Sequence, residues 1–131
     1  MRRFLGIDYG TKKIGLALSD EGGCLAFPEK VLFNAPDLAK TISEICAKNK
    51  ISRIVLGQSL SSSGAENPIQ TEIALFKTEL ERISDLPVHF EPEILTTNEA
   101  SRYQKGRDFK DASAAAIILQ RFLEKNKKRY N

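Results

Sequence analysis

A chain of 131 residues has the commonest size for one folded domain, and folding at that length buries roughly two-thirds of the extended chain's surface, so one core spanning residues 1–131 is expected. An apolar fraction of 41% and a charged fraction of 28% argue against disordered, collagen-like and membrane-spanning classes. Lysine and arginine together number 20 against 17 acidic residues, a formal net charge of +3 that suits a polyanionic partner without demanding one.

In chain order, Met1-Arg2-Arg3 passes straight into Phe4-Leu5-Gly6-Ile7-Asp8, an apolar stretch too short for a signal sequence and broken by a carboxylate, so a cytoplasmic protein is expected. That stretch meets a turn at Tyr9-Gly10-Thr11-Lys12, and Ile14 to Leu18 resumes it as a hairpin. After Glu21-Gly22-Gly23 a third extended stretch runs from Cys24 to Phe33, with Pro28 tolerable on an edge strand. Asn34 to Asp37 signals a helix start, and Leu38, Ile42, Ile45 and Cys46 form its apolar stripe. Ile51 to Leu56 reads as a central strand covered on both faces, followed by a polar loop from Ser59 to Asn67. Asn67-Pro68 opens a second helix on Ile69, Ile73, Phe76, Leu80 and Ile83. Leu86 to Phe90 predicts a last strand ended by Pro92, then a short polar helix from Thr96 to Lys105 and a long one from Asp108 to Lys125. This order predicts an α/β domain: a mixed five-stranded sheet whose antiparallel hairpin edge joins parallel strands through right-handed crossovers, with helices on both faces.

Three carboxylates reach the carboxyl end of such a sheet, where ligands gather in open α/β folds. Asp8 ends the first strand, and Glu93 follows the last one just after Pro92, with Glu91 as its alternative. Asp111 opens the final helix on the stripe of Ala115, Ile118 and Phe122, where a carboxylate is costly unless paired or bound to metal. A turn residue bonding its own backbone and a helix-start carboxylate are the plainer readings of Asp8 and Asp111, and Pro92 favours Glu93 over Glu91 as the residue at the rim. Three oxygen donors without His or Cys match magnesium or manganese, one or two ions, able to act on a phosphodiester. Asp20 ends the strand running away from this region and belongs to a turn, while Asp108 suits an N-cap better than a fourth ligand.

Gly6-Ile7-Asp8-Tyr9-Gly10-Thr11-Lys12-Lys13-Ile14-Gly15-Leu16-Ala17 resembles the opening of the YqgF (RuvX) family of pre-16S rRNA nucleases, relatives of Holliday-junction resolvases. Ile54-Val55-Leu56-Gly57 with Leu60 and Gly64 is similar to its second block. Leu86-Pro87-Val88 with Glu93 to Thr97 and Ala100 is similar to the third, and Asp111 to Gln120 to the fourth. The resemblance implies a ribonuclease H-like fold, cytoplasmic location and cleavage at the 5′ end of 16S rRNA, with the family's acids falling on Asp8, Glu93 and Asp111. The chain departs from the family pattern where Pro92 and Ile94 flank Glu93 without a basic neighbour, at Ser59 in place of proline, and in a short segment between Ala100 and Asp111.

Lys12, Lys13, Arg107 and Lys110 are candidate phosphate contacts beside the acids. Expected partners are precursor 16S rRNA, alone or in ribosomal precursor particles, or branched DNA, bound by a monomer or homodimer; a catalytically silent nucleic-acid-binding module is the reading from another class. Cys24 and Cys46, with no second ligand at metal spacing, are expected to be buried free thiols. Lys125 to Arg129 reads as a solvated helix end or a phosphate contact, His89 as a partly exposed strand residue, and Tyr9 and Tyr103 as base-stacking rings unless Tyr9 covers the hairpin.

Overall fold

The computed structural model describes the backbone of residues 3–60, 68–94 and 107–127, and the side chains of all of these except 60, 94 and 107–111. Chain order is β1 (Arg3–Asp8), β2 (Lys13–Ser19), β3 (Ala26–Phe33), α1 (Leu38–Lys48), β4 (Ile51–Leu60), α2 (Ile69–Ser84), β5 (Val88–Ile94) and α3 (Arg107–Lys125). The strands form one sheet in the order β3-β2-β1-β4-β5. β1 runs antiparallel to β2 and β2 to β3, whereas β4 lies parallel to β1 and to β5. This is the mixed sheet that the alternation of short apolar runs and helical stripes implied.

Strand alternation divides the apolar residues between two layers. Leu5, Ile7, Ile14, Leu16, Ile54 and Leu56 pack under α1 and α2 with Ile42, Cys46, Ile73 and Leu80. Phe4, Ala17 and Val55 turn to the opposite face and pack under α3 with Ala115, Ile118, Leu119 and Phe122. β4 therefore buries both its faces, as its unbroken Ile54-Val55-Leu56 run suggested. The α3 layer needs close approach: a Cβ on Gly6 would lie 2.7 Å from the Leu119 Cβ and 3.0 Å from the Ala115 carbonyl oxygen, so a larger residue there would hold the helix off the sheet.

Two strands outrun their sequence-based ends. β4 continues through Ser59 to Leu60, where a loop was expected; the Ser59 N–H donates to the buried Gln70 Oε1 of α2 at 3.0 Å, which satisfies the strand end. β5 runs through Pro92 to Ile94, so Glu93 lies inside the strand and not beyond it. Proline breaks a strand only where its missing N–H is needed, and among the described residues β5 is an edge paired with β4 alone. Pro28 sits on the other edge, where the β2–β3 register slips between Leu16 and Ala17. The expected helix from Thr96 to Lys105, and Tyr103 with it, lies outside the described residues.

Candidate active site at the carboxyl end of the sheet

Asp8 closes β1 at the sheet's carboxyl end. It shares a face with Phe4 and Gly6, and so stands on the α3 side. Its partner across β2 is Gly15, which contributes no side chain to that face. Glu93 reaches the same face from two strands away. A Cβ placed on Gly57 of β4 would lie 3.6 Å from the Glu93 Oε2 and 3.5 Å from the Ile7 carbonyl oxygen, within the peptide that joins Ile7 to Asp8. The same point is 2.7 Å from the Ile118 Cδ1 of α3. Gly57 is thus the gap around which the Glu93 carboxylate, the end of β1 and α3 meet, a role the sequence signalled only as the glycine after a buried run.

Asp111 lies in the first turns of α3, one turn ahead of Ala115 and two ahead of Ile118, both buried against the sheet. Its side chain, like those of Arg107, Asp108 and Lys110, falls outside the described set; what is fixed is its position at the start of the helix stripe that crosses Gly6 and Gly57. Among the described residues no group of three His, Cys, Asp or Glu side chains is placed to hold a metal ion. Carboxylate oxygens such as that of Glu93, with glycine opening the space next to it, have the donor chemistry that suits a hard divalent cation.

Glu91, the alternative to Glu93, has another task. It is 2% exposed, and its Oε2 accepts from the Lys125 Nζ at 2.6 Å. Lys125 is therefore an ion-pair partner rather than only a solvated helix end; positions 128 and 129 lie outside the described residues. His89, half-buried, sits with its ring 5.3 Å from Phe122 and its Nε2 3.4 Å from the Arg53 Nη1, a strand residue in contact with its neighbours.

The flanking residues divide. Lys12 is exposed in the β1–β2 turn and Lys13 begins β2 opposite Phe33, its Nζ 6.0 Å from that ring. Asn34 pins this turn, donating from Nδ2 to the Gly10 carbonyl and from its N–H to that of Lys12, both at 2.9 Å. Tyr9 does not stack outward: its ring lies 5.1 Å from Phe76 on the α1–α2 side, and burial raises its hydroxyl pKa, with Glu72 adding to the rise and Asn34 opposing it. Asp20 is the turn residue expected, accepting from the N–H groups of Leu25 at 3.0 Å and Cys24 at 2.7 Å, bonds that lower its pKa. The expectation of two buried thiols holds for Cys46 and fails for Cys24, which the β2–β3 turn leaves exposed.

The family model of RuvX, described as Holliday junction resolvase, matches residues 2–125. The chain belongs to the RuvX family. As a member it is a nuclease, hydrolysing phosphodiester bonds. Among its relatives, a protein of Maridesulfovibrio salexigens named "Putative pre-16S rRNA nuclease" is 35% identical over 92% of this chain and 97% of its own. One of the same name from Endomicrobium trichonymphae is 34% identical over 95% and 96%. The RuvC structure from Thermus thermophilus superposes with a TM-score of 0.62 at 15% identity, covering 96% of both chains, so this RuvX protein has the ribonuclease H-like fold.

Proposed function

We propose that this RuvX protein is a divalent-metal-dependent nuclease that matures the 5′ end of pre-16S rRNA in the cytoplasm, with Asp8, Glu93 and Asp111 as its ligand set. The observation that carries the reading is the approach of the Glu93 carboxylate and the end of β1 to one point beside Gly57, on the sheet face crossed by α3, the helix whose first turns include Asp111 and which begins at Arg107, four residues before it. The names of relatives at 34–35% identity that match nearly end to end support RNA as substrate.

When bound, magnesium or manganese supplies Lewis acidity and charge neutralisation to the phosphodiester. The chain's own residues do the positioning. Asp8, on a central strand, and Glu93, on an edge strand, hold their oxygens on a rigid sheet, and Asp111 adds a third from a helix packed on that sheet. Lys12 and Lys13, in and just after the β1–β2 turn, neutralise phosphates flanking the cleaved bond. No protein nucleophile is required.

A second reading, cleavage of four-way DNA junctions, is favoured by the description of the family model. Incubation of labelled precursor 16S RNA and of a labelled four-way junction with manganese separates them. The expected result is manganese-dependent RNA cleavage lost by more than about a hundredfold in Asp8→Asn and Glu93→Gln, since each removes about 3 kcal/mol or more of transition-state stabilisation. Cleavage of the junction alone would establish the second reading, and binding without cleavage of either would leave a silent binding module.

A further inference from the structure

The sheet face that carries Asp8 and Glu93 continues past them to an aromatic ring. In β2, Ala17 packs in the α3 layer and Gly15 lies opposite Asp8, so Lys13 stands on the same face by alternation. Lys13 in turn lies opposite Phe33, the last residue of β3, and directly opposed residues of an antiparallel pair share a face. From Phe33 to Asp8 is two strand spacings across and about two residues along, about 12 Å between backbones. Only Lys13 and the side-chain-less Gly15 lie between them on β2.

Phe33 is 77% exposed, more than Leu25, Phe27 or Leu75 among the large apolar side chains left in solvent. A phenyl ring at an edge strand's end, beside the reacting face and with an ammonium group 6.0 Å from its centroid, combines the two elements that grip a single nucleic-acid strand: a stacking surface and a cation for the backbone. Of the two exposed phenylalanines of β3, Phe33 is the one at the carboxyl end of β1; Phe27 pairs with Leu18, at the far end of β2.

We propose that Phe33 and Lys13 form a substrate subsite that takes one unpaired nucleotide of the RNA strand, its base stacked on Phe33 and its phosphate near Lys13, a nucleotide or two from the cleaved bond. The proposal rests on the nuclease reading for the location of that bond. It selects strands that are open next to the cleavage point, because a base inside an A-form helix is already stacked and cannot reach the ring. Stacking of this kind tolerates any base, so the subsite reads strand openness and not sequence.

The test is binding of single-stranded RNA carrying 2-aminopurine at successive positions, in chelator so that the strand stays intact. The expected result is quenching at one or two adjacent positions. Phe33→Ala, at an exposed position that leaves the core intact, should abolish the quenching and weaken binding about tenfold, and Phe33→Trp should keep both. A fully paired duplex of the same sequence should bind Phe33→Ala as it binds the wild type. Single-strand affinity and fluorescence unchanged in Phe33→Ala, no quenching at any position, or an equal loss on duplex would overturn the proposal. Quenching by a wild-type chain that fails to cleave in manganese would sink the nuclease reading and leave the subsite standing; cleavage with an indifferent Phe33→Ala would do the reverse.

Discussion

Gly6 and Gly57 both face α3, yet they tolerate a methyl group differently. At Gly57 the added Cβ meets the flexible end of Ile118, whereas at Gly6 it meets the Leu119 Cβ and the Ala115 carbonyl, which move only with the helix. Gly6→Ala is expected to cost about 2–3 kcal/mol in urea unfolding and Gly57→Ala about 1 kcal/mol. Only the second touches the space beside Glu93, so per folded molecule it should lower cleavage more. At Lys125, replacement by Met strips a 2% exposed Glu91 of its cation and should destabilise by about 2 kcal/mol, less than a fully buried pair because the lysine itself is 59% exposed. Burial pushes the Cys46 thiol up to about 12 from its ordinary 9.0. Below pH 9 the thiol is protonated in folded and unfolded chains alike; above it the unfolded chain ionises first, so stability falls as pH rises from about 9 to about 12, by up to about 1.4 kcal/mol per unit. Urea unfolding at pH 8 and pH 10 should show the gap between wild type and Cys46→Ala narrowing by about 1 kcal/mol. Cys24, exposed, should be alkylated in the native protein while Cys46 is spared.

Elements were easier to read from the sequence than their ends. The stripe of Leu38, Ile42, Ile45 and Cys46 marked α1, and the switch from period two to period three and four marked where the meander stops. Pro92 and Ser59 misled because a breaker residue reports a local cost, and whether that cost arises depends on partners far along the chain. β5 is an edge, so Pro92 interrupts nothing, and Gln70 receives the Ser59 N–H. Cys24 misled in the same way: its exposure follows from the bonds that Asp20 accepts, not from composition. Just after α1, Lys50 adopts φ 54°, a left-handed conformation that costs a residue with a Cβ. Lys50→Gly is expected to raise stability by about 0.5 kcal/mol despite its more flexible unfolded chain, read from the urea midpoint.

Across the whole molecule, the sheet order brings β1 and β5 either side of β4, so the Glu93 carboxylate and the Ile7 carbonyl at the end of β1 approach one point beside Gly57. The placement of Asp8 and Glu93 toward the carboxyl ends of two strands of one sheet was legible in the sequence, although Glu93 lies within its strand. The Gly57 gap and the Phe33 ring were not legible, since each acquires its meaning from a neighbour on another strand: Glu93 and Ile118 for the glycine, Lys13 for the ring. Among the described residues no helix is long and apolar enough to cross a membrane. The proposed site, one divalent cation held by three acids from β1, β5 and α3, is checked by calorimetry of manganese binding to the full chain. Saturable binding is expected of the wild type, and at least tenfold weaker binding of each of Asp8→Asn, Glu93→Gln and Asp111→Asn. Binding as tight in Asp111→Asn as in the wild type would contradict it.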